Sequence, residues 1–228
     1  EVMAAAQEVL AAAQAKVGGF RLVNDSHDAG ANLYREIGTA MTEETLRAAE
    51  AADAILLGAC GLPDVRYPDG TEIAPQVDLR FHFGLYAGVR PVKALPGGPL
   101  ALADPRAAGI DFVLIRESTE GLFAARGKGQ VIDDREARDT MVITRPTSEK
   151  LFDFAFQLAA RRRAGGSAGK VTLIDKANIF ASMAFFRKVF DERAAAHPEV
   201  ATERLYVDAA ALDFVRRPWE FDVLVTLP

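Results

Sequence analysis

Cysteine occurs once in the 228 residues, at Cys60, which excludes an internal disulfide and any zinc or iron–sulfur site built from cysteines. No run of about 18 apolar residues is present, so no segment reads as a membrane span. Charge of one sign is not in excess: charged residues make up 26% and the net charge is −5, without the basic surplus that marks a nucleic-acid binder. Arg161, Arg162 and Arg163 do cluster, but at an expected helix end, where the helix dipole accounts for them. His27, His82 and His197 share no metal-ligand spacing, and Cys60 reads as a small buried hydrophobe. The first fifteen residues are alanine-rich yet carry Glu1, Gln7, Glu8 and Gln14, the layout of an amphipathic helix and not of a secretory leader. A reduced cytoplasm is the expected address, with no nucleic-acid or membrane partner.

Half of the residues are hydrophobic, enough for one large core or two smaller ones. Strand-like and helix-like segments alternate, which predicts an α/β fold with a largely parallel sheet. Helices are expected over 1–16 (ended by Gly18-Gly19), after the cap Thr42, over 150–163 and over 179–195. Strands are expected over 20–23, 54–57, 112–115, 171–174, 205–207 and 221–225. The segment 122–144, short alternating stretches with glycines, reads as a hairpin or arm. A Gly- and Pro-rich stretch at 88–98 suggests a division into two lobes. The chain opens inside a helix and stops just after an apolar strand, so both ends read as cuts through a longer sequence.

Polar clusters sit where strands end, the place at which α/β proteins build their sites. They are Arg80 and Arg90, ten residues apart; Arg116-Glu117; Asp175-Lys176 with Asn178; and Asp208. Three arginines can grip a dicarboxylate, because the guanidinium fork matches a carboxylate. A partly desolvated lysine can act as a base, and an aspartate can bind a divalent cation that polarises an oxygen. Each element also has a plain structural reading. A strand-end arginine can be an ion-pair residue, Asp175-Lys176 an exposed turn, and Asp208 a helix cap before residues 209–214.

Taken in order, Leu79-Arg80, Leu85-Tyr86-Ala87-Gly88-Val89-Arg90-Pro91-Val92-Lys93, Arg116-Glu117-Ser118-Thr119-Glu120-Gly121, Asp175-Lys176-Ala177-Asn178 and Tyr206-Val207-Asp208-Ala209 resemble the β-decarboxylating 2-hydroxy-acid dehydrogenases. That family holds the isocitrate, isopropylmalate, tartrate and D-malate dehydrogenases. The resemblance runs through the whole chain. It implies an isopropylmalate-dehydrogenase-like two-lobed α/β fold, incomplete at the N- and C-termini. Residues 1–90 would be part of the cofactor-side lobe, and 91–228 the substrate and dimerisation lobe with an arm at about 122–144. It further implies that Arg80, Arg90 and Arg116 bind the substrate carboxylates, that Lys176 takes the hydroxyl proton as hydride passes to NAD or NADP, and that Asp208 is one ligand of Mg²⁺ or Mn²⁺. The site would form across a homodimer, with the lysine and the aspartate entering from the partner. No Gly-x-Gly-x-x-Gly motif is present, but this fold does not use one, so its absence does not argue against NAD.

Three departures follow from the same comparison. The family's N-terminal Gly-Asp-Gly-Ile-Gly-Pro is absent. Its further metal aspartates and main adenosine loop would lie beyond Pro228, so the polypeptide as it stands is expected to be inactive alone. Where the family carries a tyrosine that protonates the carbon left by decarboxylation, this chain has Phe123, whose ring has no proton to give. Gln76, among Ile73, Ala74 and Val77 before Arg80, argues for a substrate more polar than isopropylmalate, such as tartrate or malate. The competing reading is a non-catalytic or regulatory paralogue that binds dicarboxylates without turning them over.

Overall fold

Parallel strands bury both faces and therefore read as continuous apolar runs, and most of the expected runs become one sheet. The structure, a computed structural model, describes residues 2–228. Glu1, the first residue of the expected N-terminal helix, lies outside the described residues. The chain forms two compact units, Glu1–His82 and Phe83–Pro228.

The first unit carries α1 (Val2–Val17), α2 (Ala31–Ile37), α3 (Glu43–Ala51) and most of α4 (Pro75–Phe83). Thr42 caps α3 as expected, its hydroxyl accepting the Thr45 N–H at 3.1 Å, and Glu43 and Glu44 occupy the positive first turn. A small core of Ala31, Ala40 and Ile73 is covered by Tyr34, Leu62, Val65 and Tyr67. Gly30 stands at φ 99°, and a Cβ there would lie 2.4 Å from the Cys60 carbonyl oxygen. Only glycine lets these two backbones meet, and Ala31 N–H donates to that carbonyl at 2.7 Å.

The strands expected at 20–23 and 54–57 do not form. A strand exists only through its ladder, and neither run has a pairing partner among the described residues. Leu56 is accordingly half exposed, not buried.

The second unit is built on a five-stranded sheet. Its strands are β1 (Ala87–Lys93), β2 (Asp111–Glu117), β5 (Lys170–Asp175), β6 (Ala201–Tyr206) and β7 (Val223–Thr226), in the order β1-β2-β7-β5-β6. All neighbours are parallel except β1, which runs antiparallel to β2 at one edge. The Gly-Pro stretch expected to divide two lobes is largely this edge strand, and the division between units falls earlier, after His82. A small hairpin, β3 (Gln130–Ile132) with β4 (Glu136–Arg138), occupies the middle of the expected arm.

One face of the sheet is covered by α5 (Arg145–Ala164) and α6 (Ala181–Ala195). Val113, Ile115, Val171, Leu173, Val223 and Val225 meet Phe152, Phe156, Phe186 and Phe190 there. The four rings interlock, with centroids 4.5 Å apart for Phe152–Phe186 and 5.4 Å for Phe156–Phe190. Each ring, fully buried, contributes about 1.5–3 kcal/mol. The other face packs Phe112, Ile174 and Leu224 against Ala210 and Phe214 of α7 (Val207–Arg216) and against Phe221.

At the N-terminal edge of the sheet a buried ion pair gathers the strand starts. Arg162, near the end of α5, donates to Asp222 Oδ1 at 2.6 Å and to the Asp111 carbonyl oxygen at 2.7 Å. Asp222 Oδ2 accepts the N–H groups of Gly169 at 2.6 Å and Lys170 at 3.1 Å. The arginine run at this helix end therefore does more than offset a dipole.

Replacing Asp222 by alanine strands a half-buried guanidinium and two backbone donors, so Asp222→Ala is expected to cost about 3–5 kcal/mol. Urea unfolding followed through the single tryptophan, Trp219, measures it. Arg138→Ala, which removes an exposed pair with Glu136 on the hairpin, serves as control and should change stability by under about 1 kcal/mol. Equal small losses in both would mean that the network does not organise the sheet.

Candidate active site

Strand register decides which candidates converge. Arg116 pairs with Thr226, Ile174 with Thr226, and Asp175 with Tyr206. The ends of β2, β7, β5 and β6 thus lie side by side at one edge of the sheet. Neighbouring strands are about 4.8 Å apart, so Arg116 and the end of β5, one strand between them, stand roughly 10 Å apart.

Side-chain alternation then decides the face. Leu114 packs on the α7 side, and Arg116, two residues on, shares that side. Arg90 lies opposite Leu114 in the antiparallel ladder, so it too stands on the α7 face, about 7–8 Å from Arg116 along the diagonal. Arg90 is exposed and makes no ion pair among the described residues. The Arg116 guanidinium lies 5.6 Å from the Phe123 ring centroid, a cation–π contact.

Lys176 follows β5 directly, and its ammonium donates to Asp208 Oδ1. Asp208 is the second residue of α7 and not its cap, which is Tyr206. The hydrogen bond from Lys176, helped by backbone, holds the Asp208 carboxyl below the usual carboxylate range. The lysine is about one quarter exposed and the aspartate about two thirds, at 27% and 67%. Arg116, Lys176 and Asp208 are therefore brought to one edge of the sheet on its α7 side, and Arg90 stands on the same side at the middle of β1.

Arg80 belongs to the first unit, in the last turn of α4 and half-buried. Gln76 lies one turn earlier on the same helix, and its Oε1 is buried without a hydrogen-bond partner. Ile73, which precedes it in the same segment, is 1% exposed in the small core of that unit. Cys60 donates to the Gly58 carbonyl oxygen, and burial pushes its thiol pKa up, the opposite of what activates a nucleophile.

Some contributors were not evident from residue types. Asp175 is buried, not part of an exposed turn, and Arg187 of α6 grips both its oxygens at 2.8 and 2.6 Å. Arg187 and Lys176 both lie over the Tyr206 ring. Glu117, 1% exposed, closes the loop after β2 by accepting from the Thr119 N–H, its hydroxyl and the Glu120 N–H at 2.6–2.7 Å. The twelve-residue offset between Asp175 and Arg187 carries no motif. Only the helix that folds back onto the strand makes them neighbours.

For a divalent cation the residues supply one hard oxygen donor, the exposed and readily ionised Asp208. Among the described residues no group of three or more acidic, histidine or cysteine side chains could hold a metal. Oxygen-loving cations take about six ligands, so Asp208 fits such an ion as a single ligand whose other donors come from elsewhere. No described helix is long and apolar enough to cross a membrane.

Comparison with known proteins bears on the family and the fold. The family model described as isocitrate/isopropylmalate dehydrogenase matches residues 1–227. The 3-isopropylmalate dehydrogenase of Pseudoalteromonas translucida is 37% identical over 99% of this chain and 63% of its own length. That of Staphylococcus aureus is 36% identical over 90% of this chain and 58% of its own. The chain thus spans less than two thirds of these relatives. Isocitrate dehydrogenase from Methylococcus capsulatus superposes with a TM-score of 0.72 at 31% identity, over 92% of this chain and 59% of that one. A Thermus thermophilus protein gives a TM-score of 0.76 at 31% identity over 90% of this chain and 39% of its own. The α/β fold is that of the isocitrate dehydrogenases, and the chain belongs to the isocitrate/isopropylmalate dehydrogenase family.

Proposed function

We propose that this chain carries the substrate-side machinery of a metal-dependent, NAD- or NADP-linked dehydrogenase. Its substrate would be a small 2-hydroxy dicarboxylate such as isopropylmalate, D-malate or tartrate, oxidised with loss of carbon dioxide. The observation that carries this reading is that one side of the sheet presents two complementary half-sites, Arg90 with Arg116 on adjacent strands and Lys176 with Asp208 beyond the ends of β5 and β6. Two guanidinium groups on adjacent strands suit a carboxylate, and a lysine held by an aspartate suits a hydroxyl proton.

In this reading Arg90 and Arg116, with Arg80 from the first unit, bind and orient the two carboxylates. Lys176 Nζ takes the hydroxyl proton as hydride leaves the adjacent carbon. A bound nicotinamide would supply the hydride acceptor, and a cation held in part by Asp208 the positive charge beside the hydroxyl oxygen.

A homodimer belongs to the same proposal, with Lys176 and Asp208 serving the site of the partner subunit. Exposed Val207, Leu212 and Val215 on α7, and Ile179 and Phe180 just before α6, offer an apolar surface for it. The hairpin β3–β4 supports it too, since a lone two-stranded ribbon is marginal in water.

Phe123 favours a second reading. Its ring faces Arg116 but has no hydroxyl, so a chain that binds dicarboxylates without turning them over remains the competing proposal.

The full-length protein with Mn²⁺ is expected to form NADH or NADPH on at least one of isopropylmalate, D-malate, tartrate and isocitrate. Silence across this panel, with dicarboxylate binding intact by calorimetry, would favour the paralogue. Lys176→Met should abolish hydride transfer, by at least about 1,000-fold, while substrate affinity stays within a few-fold. Normal turnover in that variant would remove the lysine from the reaction. Phe123→Tyr should raise carbon dioxide release relative to simple oxidation. An unchanged product ratio would mean that another group or water already supplies the proton.

A further inference from the structure

The backbone of Lys176 is held by α6 and by the two residues that lead into it. Its N–H donates to Met183 Sδ at 3.1 Å, and its carbonyl accepts from Ile179 N at 3.0 Å and Phe180 N at 3.2 Å. One turn beyond Met183 on α6 stands Arg187, whose Nε and Nη2 grip Asp175 Oδ2 and Oδ1 at 2.8 and 2.6 Å. Asp175 Oδ1 also accepts the Ala177 N–H at 2.9 Å. The residues on both sides of the lysine are thus tied to one buried carboxylate, and that carboxylate is tied to one arginine.

The side chain shares a neighbour, Tyr206, with the same arginine. Tyr206 pairs with Asp175 across the β5–β6 ladder. Its ring centroid lies 5.0 Å from Arg187 Cζ and 5.8 Å from Lys176 Nζ. The guanidinium therefore packs against the ring that also borders the path of the lysine toward Asp208. Asp175 has no exposed side-chain surface and Arg187 is three-quarters covered, at 0% and 24% exposure, so the fork works where water does not weaken it.

We propose that Arg187 is the positioning residue for Lys176, setting its place through Asp175 and Tyr206. The proposal rests on Lys176 being the base, and it extends that reading to a side chain outside the site. A fork at this point defines both distance and angle, whereas a lysine in its place keeps only the charge. A displacement of the base by about 1 Å is enough to lower turnover about 100-fold.

Removing Arg187 alone leaves a buried carboxylate uncompensated and could unfold the protein, so the decisive variant removes both partners. In the full-length protein, Asp175→Asn with Arg187→Leu is expected to lower kcat by about 10- to 100-fold while KM for the 2-hydroxy acid changes by less than about threefold. Arg187→Lys should recover part of that loss.

A second readout does not depend on turnover. With lysines ¹³C-methylated, the Lys176 resonance, assigned by its disappearance in Lys176→Arg, should carry a ring-current shift from Tyr206. It should move to the position of exposed lysines in the double variant and stay near its original place in Arg187→Lys. An unmoved resonance in the folded double variant, or a kcat equal to wild type, would overturn the proposal. A wild-type protein inactive on every 2-hydroxy acid would instead count against the base assignment, and the resonance would still decide the role of Arg187.

Discussion

The ion pair between Asp222 and Arg162 is the contact on which the order of the second unit depends. One carboxylate, 2% exposed, accepts from the chain entering β5 while its partner guanidinium reaches the first residue of β2. β7 begins immediately after Asp222. The three central strands therefore share a common starting line, tied to the end of α5. A shift of one residue in any of them would turn its apolar side chains to the wrong face, and with both faces covered by helices no such shift is cheap.

That starting line determines what happens at the far edge. The strands are short, and with their beginnings aligned their ends arrive together, presenting Arg116, Thr226, Asp175 and Tyr206 in neighbouring positions. Stability and site are thus separated along the strand axis, one edge closed by a buried pair and the other left polar. The polar edge is itself layered. Asp175 and Arg187 lie on the α6 side and are largely covered, whereas Lys176 and Asp208 lie on the α7 side and reach solvent.

How much of this could be read from the residues depends on how locally each feature is encoded. β2, β5 and β7 were legible because burial on both faces makes them continuous apolar runs. β1 was not, because Gly88, Arg90 and Pro91 look like a loop, and an edge strand needs only one paired side. The runs at 20–23 and 54–57 misled for the converse reason, being strand-like in composition but without a ladder partner. Among the candidate residues, Arg116, Lys176 and Asp208 stood out by position, each near a strand end or helix start, whereas Arg90, in the middle of β1, stood out only as a member of the ordered set. Arg187 and Tyr206 did not, because their role exists only once α6 and β6 pack beside Asp175. Ile73 shows the limit of position in sequence, since its side chain is buried in the small core of the first unit.

The proline in β1 bears on assembly. Pro91 pairs opposite Val113, and a proline inside a ladder has to turn its nitrogen to the unpaired side. The outer border of the sheet therefore lacks a donor at its centre and carries the cations Arg90 and Lys93 nearby. At the opposite border β6 offers Glu203 and Arg204, both engaged in ion pairs. Neither border is suited to accept a further strand. The sheet is self-terminating, which protects an apolar, mostly parallel structure against edge-to-edge polymerisation and leaves helices or the hairpin as the surfaces through which copies could meet.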